Sequence, residues 1–184
     1  NHIISNLTIN GGGYVGFFGC IDSGGIVQNL HLDNIDIHGT SNVVGGLVGY
    51  LSYYSSEIKN CTTSGQVIGK DDVGGLVGYV SRGNVDSSSS ACSVHGQDRV
   101  GGLLGMNSNR SSYQEGITNC SSTGIVTGQN RVGGLVGYNS EGYISNCFNT
   151  GLVTGQDYVG GLVGYSYHYS RIKGCFNIAQ VNGE

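Results

Sequence analysis

One heptapeptide recurs along this chain and limits its fold more than any other feature. It reads Val-Gly-Gly-Leu-Val-Gly-Tyr at residues 44–50, 73–79, 132–138 and 159–165, and Val-Gly-Gly-Leu-Leu-Gly-Met at 100–106. A worn copy, Val-Gly-Phe-Phe-Gly-Cys, runs from Val15 to Cys20. From Phe17 through Leu47, Leu76, Leu103, Leu135 and Leu162, the steps are 30, 29, 27, 32 and 27 residues. A period near 28 marks a stacked array, in which each copy is one supersecondary unit that cannot bury its own apolar face alone.

The units read as strands. Ile26 to Gly39 alternates apolar and polar residues with period two, and no window holds a 3.6-residue period. Later units share a template: Ile58-Lys-Asn-Cys61, then Gly65-Gln-Val67-Ile-Gly69, then the polar corner Lys70-Asp-Asp72, then the heptapeptide. About three short strands per coil, separated by Gly, Asn and Asp, predict an all-β parallel β-solenoid, or β-helix, of about six coils. Stacked at about 4.8 Å, equivalent residues would form continuous inward columns. The expected coils are 3–25, 26–57, 58–84, 85–116, 117–143 and 144–171, with a half coil at 172–184. Together they form a single repeat domain, 1–184, that is a fragment of or a subunit in a longer assembly. Any targeting segment is expected outside this sequence.

Composition narrows the classes. Glycine supplies 35 of 184 residues without a three-residue period, and proline is absent, which excludes collagen. Charged residues are 11% and the formal net charge is −4. Eight scattered Lys and Arg leave no basic stripe, so no nucleic-acid partner is expected. No apolar run reaches the roughly 18 residues of a membrane helix, so no membrane insertion is expected.

The heptapeptide with its upstream (Ile/Val)-x-Asn-Cys-x-x-x-Gly-x-Val-x-Gly resembles the GLUG repeat, named for its Gly-Leu-any-Gly core. Here the core is Gly46 to Gly49, Gly75 to Gly78, Gly102 to Gly105, Gly134 to Gly137 and Gly161 to Gly164. The resemblance implies a surface or extracellular role of the kind served in large bacterial surface proteins and near immunoglobulin A peptidases. It does not imply catalysis, since HExxH is absent from the chain.

Several constellations invite a functional reading. Cys61, Cys92, Cys120, Cys147 and Cys175, at steps of 31, 28, 27 and 28, read as one column. A ladder of buried thiols is expected, with disulfide pairing along it geometrically open. Asn29, Asn60, Asn119 and Asn146, with Ser90 replacing one, precede that column and predict an amide ladder. Asp71, Asp98, Asn130 and Asp157 share a corner and read as turn-forming residues, not metal ligands. No cofactor is expected. Asn6 and Asn109 are the candidate glycosylation sites among four Asn-x-Ser/Thr sequons.

The corner after each heptapeptide varies in length, which in solenoids marks a binding face. It holds Tyr53, Tyr54, Arg82, Arg110, Tyr113, Tyr143, Tyr167, His168, Tyr169 and Arg171 as candidate contact residues. Strand alternation also predicts that the Leu47 and Val48 columns cannot both face inward, so one forms an outward apolar stripe; the alternative is a local bend at Gly45-Gly46 that buries both. The expectation is a non-catalytic extracellular structural or adhesive solenoid, stacking end to end into filaments. The alternative is a carbohydrate-binding module that uses the Tyr-rich corners. Expected partners are further copies, a glycan or a cell-surface receptor.

Overall fold

The computed structural model describes residues 2–40, 42–109 and 116–184. Among these, every regular element is a β-strand. One coil runs through Glu57–Lys59, Thr62–Ile68, Asp71–Gly74 and Val77–Val80. Each of these strands pairs in parallel with its equivalents in the coils before and after. Ile58 lies between Val27 and Val85, Val67 between Ile37 and Val94, Val73 between Val44 and Val100, and Val77 between Val48 and Leu104. Four parallel sheets result, one of 11 strands and three of six. In the order the chain visits them they are sheets I (Glu57–Lys59 type), II (Thr62–Ile68 type), III (Asp71–Gly74 type) and IV (Val77–Val80 type).

The expected solenoid is therefore present, with four strands per coil and not three. The extra strand comes from the heptapeptide, which bends at Gly75 and Leu76 and so contributes to both sheets III and IV. The bend resets the strand alternation, and Leu76 and Val77 are both fully buried. The same holds for Leu47 with Val48, Leu103 with Leu104 and Leu135 with Val136. No outward Leu or Val stripe forms at these rungs, and that expectation is corrected.

Glycine is required because the two arms of the heptapeptide touch backbone to backbone. A Cβ on Gly78 would sit 2.8 Å from both the Gly49 carbonyl and the Val44 nitrogen. One on Gly74 would sit 2.8 Å from the Gly105 nitrogen and the Leu103 carbonyl. Any side chain there would push the sheets apart.

The interior is a set of vertical columns. Val44, Val73, Val100 and Val132 form one, and Leu47, Leu76, Leu103 and Leu135 another, all fully buried. Burying each such side chain contributes about 1.5–3 kcal/mol. At the last coil the columns emerge: Ile172 is 44% exposed, Val181 39% and Phe176 52%, whereas Ile144 and Val153 one rung earlier are fully buried.

Candidate functional site

The cysteines form a column, with one correction. Thr62 pairs with Ser89, Ser121 with Phe148, and Phe148 with Phe176, so the slot holds Cys61, Ser88, Cys120, Cys147 and Cys175. Cys92 instead pairs with Gly65 in a neighbouring column. The misleading signal was the 31-residue step. The constant distance of 15 residues from Cys61 to Leu76 puts Ser88 in the slot before Leu103. All six thiols are free, and Cys20 lies exposed in the slot of Tyr50. Along the column, the Cys120 amide donates to Cys147 Sγ at 3.4 Å and the Cys147 amide to Cys175 Sγ at 3.4 Å. Burial, then the Cys147 thiol, pushes the Cys120 thiol well up. Cys147 is held below its ordinary value, chiefly by its hydrogen bond from Cys120.

The asparagine slot follows the same shift: it holds Asn29, Asn60, Ser87, Asn119 and Asn146, so Ser87 and not Ser90 interrupts it. These residues share left-handed backbones, with φ of 57, 51, 49, 55 and 53°. Asparagine tolerates that region better than other non-glycine residues. The ladder is partly made: Asn60 Nδ2 donates to Asn29 Oδ1 at 2.6 Å, and Asn146 Nδ2 reaches Asn119 Oδ1 at 3.5 Å. Between them Asn119 and Thr118 donate instead to Asp86, at 2.9 and 2.7 Å. Burial opposes ionisation of Asp86, but these bonds, with Ser87 and Lys59 beside it, hold its carboxyl below the ordinary value.

Neither glycosylation candidate stands apart from the fold. Asn109 is 1% exposed and its amide donates to the Gly83 carbonyl at 2.6 Å, so the nitrogen that would carry a sugar is buried, which corrects that expectation. Asn6 is exposed, with its amide oxygen accepting from Asn34 at 2.7 Å.

The corner residues do not converge on one site. Arg82 lies over the Tyr54 ring at 4.7 Å, with Tyr53 exposed nearby in sequence. Tyr167, His168 and Tyr169 form a separate exposed cluster near the last coil. Tyr143 is half-buried and pairs with Arg171 across sheet I. Arg110 and Tyr113 lie outside the described residues.

What converges is a face along sheets III and IV. Asp71, Asp98, Asn130 and Asp157 share a column as expected. The residue following each, Asp72, Arg99, Arg131 and Tyr158, has φ of 45, 51, 51 and 52°. Together they build an ion ladder. Arg99 bonds Asp72 through Nε and Nη2 and Asp98 through Nη1 at 3.0 Å, while Arg131 clasps both oxygens of Asp98. Burial drives the Asp72 carboxyl above its ordinary value despite the Arg99 guanidinium.

Beside this ladder runs a tyrosine column. Tyr14 stacks on Tyr50 at 4.9 Å, Tyr50 meets Tyr79 at 5.2 Å, and Tyr138 stacks on Tyr165 at 5.6 Å. Arg131 lies 5.7 Å over the Tyr138 ring, and Tyr158 meets Tyr165 edge-on at 5.2 Å. Charged residues just before three of the heptapeptides, Asp72, Arg99 and Arg131, were the signal in the sequence for this face.

The GLUG motif matches residues 40–68, 128–154 and 155–182. Halomucin of Haloquadratum walsbyi is 40% identical over 92 residues, which is 49% of this chain and 1% of halomucin. The fold matches the crystal structure of a candidate immunoglobulin A1 protease of Bacteroides ovatus with a TM-score of 0.78 at 22% identity. That match covers 97% of this chain and 60% of the other, and at this identity it speaks to fold alone. Repeated sequence and repeated coil coincide: the chain carries the GLUG motif in three of its repeats and folds as a parallel β-solenoid.

Proposed function

We propose that this chain is a non-catalytic structural segment of an extracellular, surface-associated protein, and that it lengthens by stacking coil on coil with further copies. The GLUG motifs and the similarity to halomucin support the surface role. The observation that carries the stacking is the ladder itself: one column runs Val27, Ile58, Val85, Ile117, Ile144 and Ile172 in parallel register, so each coil is a template for the next. Strand edges of this kind template further strands. A head-to-tail contact of this sort is heterologous and does not close, so it builds filaments.

Sedimentation velocity over a concentration series, with electron microscopy, tests this. Concentration-dependent head-to-tail species that Val181→Glu and Ile178→Glu abolish are expected. A native chain that stays monomeric throughout the series would overturn the stacking reading.

A further inference from the structure

We propose that the cleft between sheets III and IV near the last coils is a binding site for a neutral, pyranose-containing glycan. Arg131, Tyr138, Tyr158, Tyr165 and Tyr167 line a cavity of about 310 Å³. Its geometry gives walls and a floor: Tyr138 and Tyr165 lie parallel within 5°, Tyr167 follows at 26° to Tyr165, and Tyr158 stands across Tyr165 at 83°. Tyr158 is 60% exposed and Tyr167 47%, so ring faces at the rim remain open to a ligand.

The chemistry of the lining selects the ligand class. No aliphatic side chain lines the cleft, which gives a lipid chain or an apolar peptide little to pack on. Tyrosine combines a flat apolar ring with a hydroxyl edge, and a pyranose combines an apolar C–H face with a rim of hydroxyls, so the two are complementary. Charge decides between neutral and acidic sugars. Arg131, the one cation of the lining, is already bonded to both Asp98 oxygens and spread over the Tyr138 ring. The formal charge of the chain, −4, further disfavours an anion. The cleft is distinct from the corner residues Tyr53, Tyr54 and Arg82, and it shares only Tyr167 with the corner set.

Isothermal titration calorimetry of the whole chain against oligomers of glucose, mannose and N-acetylglucosamine tests the site, with heparin and oligogalacturonate as acidic counterparts. Saturable binding of at least one neutral oligomer is expected. Tyr158→Ala and Tyr167→Ala should each weaken it about tenfold or more, the scale of one lost stacking contact. Tyr158→Phe should keep most of the affinity, and Tyr169→Ala, 90% exposed and outside the cavity, should leave it unchanged. All three positions are exposed or rim sites, and unchanged thermal unfolding checks that each of the four variants is folded. Absence of binding to every neutral oligomer, binding to acidic sugars alone, or binding that survives both alanine variants would each overturn the proposal. Coil stacking is read by sedimentation and glycan binding by calorimetry, so either can fail without the other.

Discussion

The early and late coils fill the same interior slots with different chemistry. In sheet IV one column runs Ile21, Leu51, Val80, Asn107, Asn139 and Ser166, so it changes from aliphatic to amide partway along the stack. In sheet II another runs Leu32, Thr63, Ser90, Ser122, Asn149 and Asn177. The amides are as buried as the aliphatics: Asn107, Asn139 and Asn149 are all 0% exposed. Each is satisfied by its neighbours. Asn107 donates to Asn139 at 2.8 Å, Asn139 to the Gly142 carbonyl at 3.1 Å, and Asn149 to Asn177 at 2.8 Å. An aliphatic rung holds by volume and area alone, whereas an amide rung holds only if the rungs beside it offer the complementary atom.

The aliphatic half should break hardest. Leu51→Ala is expected to cost about 2–5 kcal/mol, the range for a large core side chain removed from a site that cannot collapse. Stacked coils resist collapse because their backbone spacing is set by the sheet ladders. Asn139→Ala should cost less, about 1–3 kcal/mol, as it leaves the Asn107 amide and the Gly142 carbonyl short of a partner. The sharper experiment is the exchange. Asn139→Leu keeps the volume but still strands the Asn107 amide, so it should destabilise. Changing Asn107 and Asn139 together to leucine should recover most of that loss. Thermal and urea unfolding of these four variants and of Asn107→Leu alone measure this, and additivity in the double variant would show that the rungs are not coupled.

The same contrast explains what was legible beforehand. The period, the parallel solenoid and the Asp71, Asp98, Asn130, Asp157 column follow from spacing, because a solenoid enforces its register rung by rung. The bend inside the heptapeptide was open only as an alternative, since alternation assumes a continuous strand and two successive glycines give no side chain by which to follow it. Cys92 was misplaced because residue identity outweighed the constant distance to the next leucine. The Asn107 and Asn149 rungs were missed because isolated asparagines between strands resemble turn residues. The inward direction of Asn107 depends on that bend, which lies just before its strand.

The thiols carry the contrast into pH. Cys92 sits fully buried, and burial, against weaker hydrogen bonds from Thr63 and Ser90, raises its pKa above the ordinary 9.0. The folded chain therefore holds this proton more tightly than the unfolded chain does. Its contribution to stability is fully present below pH 9.0 and is lost as pH rises from there through the higher folded value. Cys147, held below its ordinary value by hydrogen bonds along the thiol column, should act in the opposite sense. Unfolding under reducing conditions across the alkaline range should show stability falling above pH 9.0, less steeply in Cys92→Ala than in the native chain. A steeper fall in Cys92→Ala would contradict the assignment.

The smallest expected effect is at Ser87, the one serine among left-handed slots that otherwise hold asparagine through Asn146. At φ of 49° serine bears a backbone cost that asparagine relieves by hydrogen-bonding its own local backbone. Ser87→Asn also places an amide between Asn60 and Asn119, where the ladder now diverts through Asp86. Backbone relief alone predicts a gain of about 0.5–1 kcal/mol. If the amide ladder is cooperative, the gain should shrink when Asn60→Ala is present. If only φ matters, the gain should be the same in both backgrounds, and Ser87→Gly should match it. Thermal unfolding of Ser87→Asn, Ser87→Gly and the Asn60→Ala pairings separates backbone preference from ladder bonding on this exposed edge.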